Sequence, residues 1–135
     1  MTAAILPLKS INTKLIYLFD AAGSGALGLA LALFADPIAA FLGSALPPAA
    51  LFWVGIGLLP WSAFNLYIGE RKAFPRRAAL VNVTGDGLWV LASVAIVLTA
   101  SAQFTQVGLI LFTALTVAVA VIGASKALGL RRFGR

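Results

Sequence analysis

The sequence contains no cysteine and no histidine among its 135 residues. Disulfides and thiolate chemistry are therefore excluded, as is the binding of zinc, haem or iron–sulfur clusters through these two residue types. Charged residues are also scarce, at 10% of the chain, whereas water-soluble domains carry about 25%. With 61% hydrophobic residues and a mean hydropathy of +1.03, the composition indicates a membrane protein.

Positive charge is confined to three short segments of the chain. All ten Lys and Arg residues lie in 9–14, 71–77 and 126–135, and long apolar stretches separate these segments. The positive-inside rule places such segments in the cytosol, and four crossings of a bilayer return all three to the same side. The sequence therefore predicts four membrane spans with both termini in the cytosol.

The predicted fold is all-α, a single four-helix transmembrane bundle over residues 1–135. The spans cover about 15–35, 49–69, 78–100 and 105–128, each near the ~20 residues that a helix needs to cross the hydrocarbon core. Proline, which removes a helical hydrogen-bond donor, stands at 37, 47, 48 and 75, between the spans. The apolar connection 36–48 is expected to form a short helix on the outer membrane surface.

Glycine spacing in the first span matches a nucleotide-binding pattern only formally. Residues 23–28 read GSGALG, but the dinucleotide fingerprint requires a preceding β-strand and an acidic residue about 20 positions later. Inside a membrane helix, small residues at this spacing let another helix approach closely. We predict the same packing role for the other glycines within the spans, notably Gly55, Gly57, Gly108 and Gly123.

Four polar side chains inside the spans are expected to share one layer in the cytosolic half of the membrane. They are Asp20, Asn65, Asn82 and Asp86, five to nine residues from the nearest basic segment. At 1.5 Å per residue, these separations correspond to about 8–14 Å along a helix. Charges at this depth are costly, and they usually mark a partner or a ligand pathway.

Tryptophan accompanies this polar layer on the same predicted helix faces. Helical spacing places Asn82, Asp86, Trp89 and Ser93 on one face of the third span, and it places Trp61 and Asn65 one turn apart on the second. We predict a cytosol-facing ligand- or proton-binding pocket, lined by Asp86, Asp20, Asn82, Asn65, Trp61 and Trp89.

A structural role for the same carboxylates is the alternative. Asp86 could be hydrogen-bonded to an asparagine, or protonated, within a packed helix interface. Asp20 lies closer to the cytosolic interface, where Lys14 or Arg77 is expected to pair with it.

The sequence contains no catalytic motif. It shows no nucleophile beside a base, no metal-binding cluster and no phosphate loop, so we predict neither an enzyme nor a bound cofactor. The leading hypothesis is a proton-coupled transporter or binding protein for a small cationic or polar solute. The alternative is a non-catalytic accessory or assembly subunit of a larger membrane complex.

The net charge of +6 indicates which molecules the protein contacts. Because the basic residues flank the spans at the level of the lipid headgroups, we expect contacts with anionic lipids of the cytoplasmic leaflet and no nucleic-acid binding. Homo-oligomers or a larger membrane complex are the expected protein partners. The compact chain predicts a location in the bacterial inner membrane.

Overall fold

The computed structural model describes the backbone of residues 2–133 and the side chains of residues 13–131. Within this range the chain forms five α-helices and no strand. They are α1 (Thr2–Leu33), α2 (Ala35–Leu42), α3 (Pro48–Glu70), α4 (Arg76–Ala100) and α5 (Gln106–Phe133). A 3-10 turn, Ser101–Gln103, links α4 to α5. With 89% of the structure helical, the predicted all-α class is confirmed.

Four of these helices are long and apolar enough to cross a membrane. By length and composition the candidate spans are Thr13–Leu33, Pro48–Glu70, Arg76–Gln103 and Gln106–Arg131, which confirms the predicted number of long apolar helices. The short helix expected between the first two spans is α2. Residues 1, 134 and 135 lie outside the described part of the chain, and the cytosolic position of both termini stays a prediction.

Glycine allows the connection after α2 to turn back onto α5. Gly43 ends α2 with a φ of 106°, a conformation that side chains disfavour. Its neighbours then pair with the α4–α5 link: the Ser44 N–H donates to the Gln103 carbonyl, and the Thr105 N–H donates to the Leu42 carbonyl, each at 2.8 Å. We call this end of the bundle the loop end, and the opposite end, which carries the α3–α4 link 71–75, the basic end.

Close glycine contacts join α1 to α3. A Cβ atom at Gly28 would lie 2.9 Å from the Gly55 carbonyl oxygen, and one at Gly55 would lie 2.7 Å from the Gly28 oxygen. Nearby, the Ser62 hydroxyl donates a 2.5 Å hydrogen bond to the Ala21 carbonyl on α1. The prediction that glycines allow close packing in the first two spans is confirmed at these positions.

The same prediction is wrong at two other glycines. A Cβ atom at Gly23 or Gly57 would meet no heavy atom within 4 Å, so neither residue packs against another helix. In α5, Gly108 does pack, since its Cβ would lie 2.7 Å from the Leu42 oxygen, and Gly123 packs against Asp86 at 3.2 Å.

Two apolar clusters fill the ends of the bundle. The basic-end cluster consists of Tyr17, Ile68, Ala79 and Leu130. The loop-end cluster consists of Leu31, Ala39 and Leu51, with α2 packed across it. Both clusters are buried and apolar, and the polar middle of the bundle lies between them.

Candidate functional site

The ammonium group of Lys126 lies at the centre of the buried polar layer. Its Nζ atom is 2.5 Å from Oδ2 of Asp20 and 2.8 Å from Oδ2 of Asp86. The same atom is 2.9 Å from Oδ1 of Asn65 and 2.8 Å from Oδ1 of Asn82. Four oxygens from α1, α3 and α4 therefore surround one cation from α5, and we call these four oxygens the oxygen cage.

Local helical hydrogen bonds orient two members of the cage. Nδ2 of Asn65 donates to the Trp61 carbonyl one turn earlier in α3, at 3.0 Å, which turns Oδ1 toward Lys126. The Ser24 hydroxyl donates to Oδ1 of Asp20 at 3.0 Å, one turn later in α1, which leaves Oδ2 for the ammonium. The carboxylate of Asp20 and the carboxamide of Asn65 are thus each oriented by a hydrogen bond within their own helix.

On α4, the buried face is the one that the sequence predicts. Asn82, Asp86 and Ser93 are all buried, and their spacing follows a single helical stripe. Trp89 lies on the same stripe but is only partly buried. This face directs Asn82 and Asp86 into the cage, and it leaves the indole at the side of the cage nearer the loop end.

The cage contains more acceptors and more negative charge than Lys126 can satisfy alone. An ammonium group has three N–H donors, whereas four oxygens lie within hydrogen-bonding distance of it. Two ionised carboxylates around one ammonium would also leave one net negative charge. An unbalanced charge is costly at this depth, and a proton or a second cation would balance it.

Tyr17 covers the cage on the side of the basic end. Its ring centroid is 5.0 Å from Nζ of Lys126, within the range of a cation–π interaction. Tyr17 is 0% exposed, and it belongs to the basic-end cluster. Among the described residues, its hydroxyl and Nδ2 of Asn82 are buried side-chain atoms without a hydrogen-bond partner. An aromatic ring therefore covers the Lys126 ammonium on the side of the basic end.

A cavity of about 480 Å³ adjoins the cage on the side of the loop end. Asp20 and Asp86 lie at its polar end, and Gly23 and Gly57 lie along its walls. The remaining walls are aromatic and aliphatic, formed by Phe19, Leu27, Val54, Leu58, Trp61, Trp89, Leu115 and Ile122 among others. Such an arrangement suits a molecule with one positive charge and an apolar body.

The position of this cavity differs from the expected cytosol-facing pocket. It extends from the cage toward the loop end, because the basic-end cluster occupies the opposite side. Gly23 and Gly57 contribute no side chains to fill the space between α1, α3 and the other two spans. The cavity therefore lies farther from the basic segments than the sequence predicts.

The structure brings together four of the six predicted site residues in the cage. They are Asp20, Asn65, Asn82 and Asp86. The other two, Trp61 and Trp89, line the adjoining cavity. The expected pairing of Asp20 with Lys14 or Arg77 is wrong, because Lys126 reaches the same depth from α5 and binds Asp20.

Lys126 itself is the residue that the sequence interpretation missed. Its place in the basic segment 126–135 indicates a side chain at the lipid headgroups, although it also falls inside the predicted span 105–128. The signal for such a partner is that the spans contain two aspartates, because buried charges require a partner of opposite charge.

The site contains no cluster of metal-ligating side chains among residues 13–131. No protein-family model, curated protein or solved structure matches the chain. Function is therefore inferred from the chemistry of the site.

Proposed function

We propose that the protein binds a small organic cation in the central cavity and exchanges it for a proton, as a small membrane transporter or binding protein. The observation that carries this proposal is the position of Asp20 and Asp86, which bind Lys126 and also line the cavity. The carboxylates are therefore within reach of a second cation that enters the cavity.

Charge balance supports a coupling between the cation and a proton. With Lys126 in place, one negative charge of the two carboxylates is left over, and either a proton or a ligand cation neutralises it. The two occupants exclude each other, so binding of one releases the other. The indole rings of Trp61 and Trp89 in the cavity wall add cation–π attraction for an organic cation.

The exposed basic residues of the basic end support the proposed orientation. Arg71, Lys72, Arg76, Arg77 and Arg131 are exposed, and the positive-inside rule places them in the cytosol. We place the chain in a bacterial inner membrane, where these residues contact anionic lipids of the cytoplasmic leaflet. The cavity then lies toward the outer half of the membrane, and release of a solute into the cytosol requires Tyr17 and its cluster to move.

Proton release on addition of cations tests this proposal. Wild-type protein in liposomes that enclose a pH-sensitive dye should show saturable proton movement on addition of members of a panel of organic cations. Asp86→Asn should abolish this movement while the protein stays folded, because the amide has a similar shape and carries no exchangeable charge. Asp36→Asn is the matched control, since Asp36 is exposed and lies at the start of α2. A folded wild type without cation-linked proton movement across the panel would overturn the proposal.

A non-catalytic accessory subunit is the second candidate function. It is favoured by the way in which the oxygen cage links α1, α3, α4 and α5 through one ammonium, an arrangement that would fix helix register without any ligand. In that case the protein should purify from its native membrane with a larger partner in a fixed ratio. A transporter should purify alone or as a homo-oligomer.

A further inference from the structure

Apolar clusters lie toward both ends of the central cavity. Toward the basic end lie the cage, the Tyr17 ring and the buried residues Ile68, Ala79 and Leu130. Toward the loop end lies the loop-end cluster, to which α2 contributes Ala39. Backbone hydrogen bonds join the end of α2 to the α4–α5 link. A solute that enters from water at either end would have to pass one of these apolar clusters to reach Asp20 or Asp86.

The side of the cavity between α1 and α5 is less securely closed. α1 packs closely along α3, and α4 packs along α5, whereas the α1–α5 and α3–α4 pairs each touch over a shorter length. Phe19 and Ile122 line the central cavity and also a second hollow of about 420 Å³ on the outer surface of these two helices. Phe19 is 71% exposed, so its ring faces the lipid. These two side chains form the thin wall between the cavity and the bilayer.

We infer that the ligand reaches the site from within the bilayer, between α1 and α5, and that it is an amphipathic organic cation. This inference rests on the proposed function. The positive head lies against Asp20 and Asp86, and the apolar tail extends along Leu27, Val54 and Leu115 toward the loop end. A cation without an apolar tail is concentrated in water and meets only the apolar clusters at the two ends.

Tryptophan fluorescence provides a direct measurement of this binding. The chain has three tryptophans, and Trp53 is 67% exposed outside the cavity. In a Trp53→Phe background the remaining signal comes from Trp61 and Trp89, both of which line the cavity. Bromododecyltrimethylammonium in the liposome membrane should quench this signal saturably. Bromododecanol, which carries the same quencher without charge, should bind at least about tenfold more weakly at equal membrane concentration, the ratio expected from one modest ionic contact.

Substitutions inside and outside the cavity test whether the probe binds in the cavity itself. Gly57→Leu should suppress saturable quenching by the cation, because the added side chain projects into the cavity without a backbone clash. Gly87→Leu is the matched control, since Gly87 is equally open but lies outside the central cavity. Phe19→Ala should speed the onset of quenching several-fold by thinning the wall, whereas Phe41→Ala, at an exposed ring on α2, should not.

Choline distinguishes access from the bilayer from access through water. It carries the same quaternary head but stays in the aqueous phase, so a large excess should leave the quenching unchanged. Competition by choline, or a Phe19→Ala variant with unaltered kinetics, would overturn the lateral route and leave the cation site intact. Absence of any saturable difference between the cationic and the neutral probe would instead refute the proposed function itself.

Discussion

Nζ of Lys126 lies 2.8 Å from Oδ2 of Asp86, with the two side chains 0% and 6% exposed. Because this pair is removed from water, loss of Lys126 leaves buried negative charge without its partner, and such a loss costs about 3–5 kcal/mol. Asp20 binds the same ammonium at 2.5 Å. The three residues therefore act as one electrostatic unit, and a change to any of them alters the other two.

Removal of the shared cation should destabilise the protein strongly. We expect Lys126→Met to lower the free energy of unfolding by about 3–5 kcal/mol, because Asp20 and Asp86 lose their common partner inside the bundle. Addition of Asp20→Asn and Asp86→Asn to this variant should recover most of the loss, since no buried charge then remains. Unfolding in mixed detergent micelles, followed by circular dichroism, measures both differences.

Lys72→Met provides the comparison for that experiment. Lys72 is exposed in the α3–α4 link, so the same change there should leave unfolding nearly unaltered. Equal stability of Lys126→Met and the wild type would contradict the assignment of Lys126 as the counter-ion of the two aspartates.

The sequence was sufficient to predict four apolar helices and the common level of their four polar residues. Depth follows from residue counting, because each helical residue advances 1.5 Å whatever its neighbours are. Asn65 and Asp86 could thus be placed at one level without knowledge of the packing. Lys126 could not be recognised by the same count, since a long lysine near the end of a span can extend either to the headgroups or back into the bundle.

The direction of the cavity depends on contacts that glycine spacing does not specify. Spacing indicates that a helix can be approached closely, but it does not show which glycine faces the neighbour. Gly28 and Gly55 face each other, whereas Gly23 and Gly57 border empty space. That difference places the cavity on the loop-end side of the cage.

Two glycines of α3 should therefore respond in opposite ways to alanine. A Cβ atom at Gly55 would lie 2.7 Å from both the Ala32 nitrogen and the Gly28 oxygen. These are backbone atoms, and overpacking of this kind costs about 1–3 kcal/mol. Gly57→Ala meets no heavy atom within 4 Å, and the higher helix propensity of alanine should make it neutral or stabilising by up to about 1 kcal/mol. Thermal unfolding of the two variants in one detergent provides the comparison, and a loss of stability in Gly57→Ala would contradict the open position of this residue.

The orientation of the bundle can be tested with single cysteines, which the chain accepts without interference because it has none of its own. Ser44 and Ser101 are exposed at the loop end, and Ala73 is exposed at the basic end. Since all ten basic residues fall in segments predicted to be cytosolic, Ser44→Cys and Ser101→Cys should react with an impermeant thiol reagent added to intact cells. Ala73→Cys should react only after the membrane is permeabilised. Labelling of Ala73→Cys alone in intact cells would invert the orientation, and equal labelling of all three would indicate that the chain inserts both ways, so that the cavity opens toward either side of the membrane.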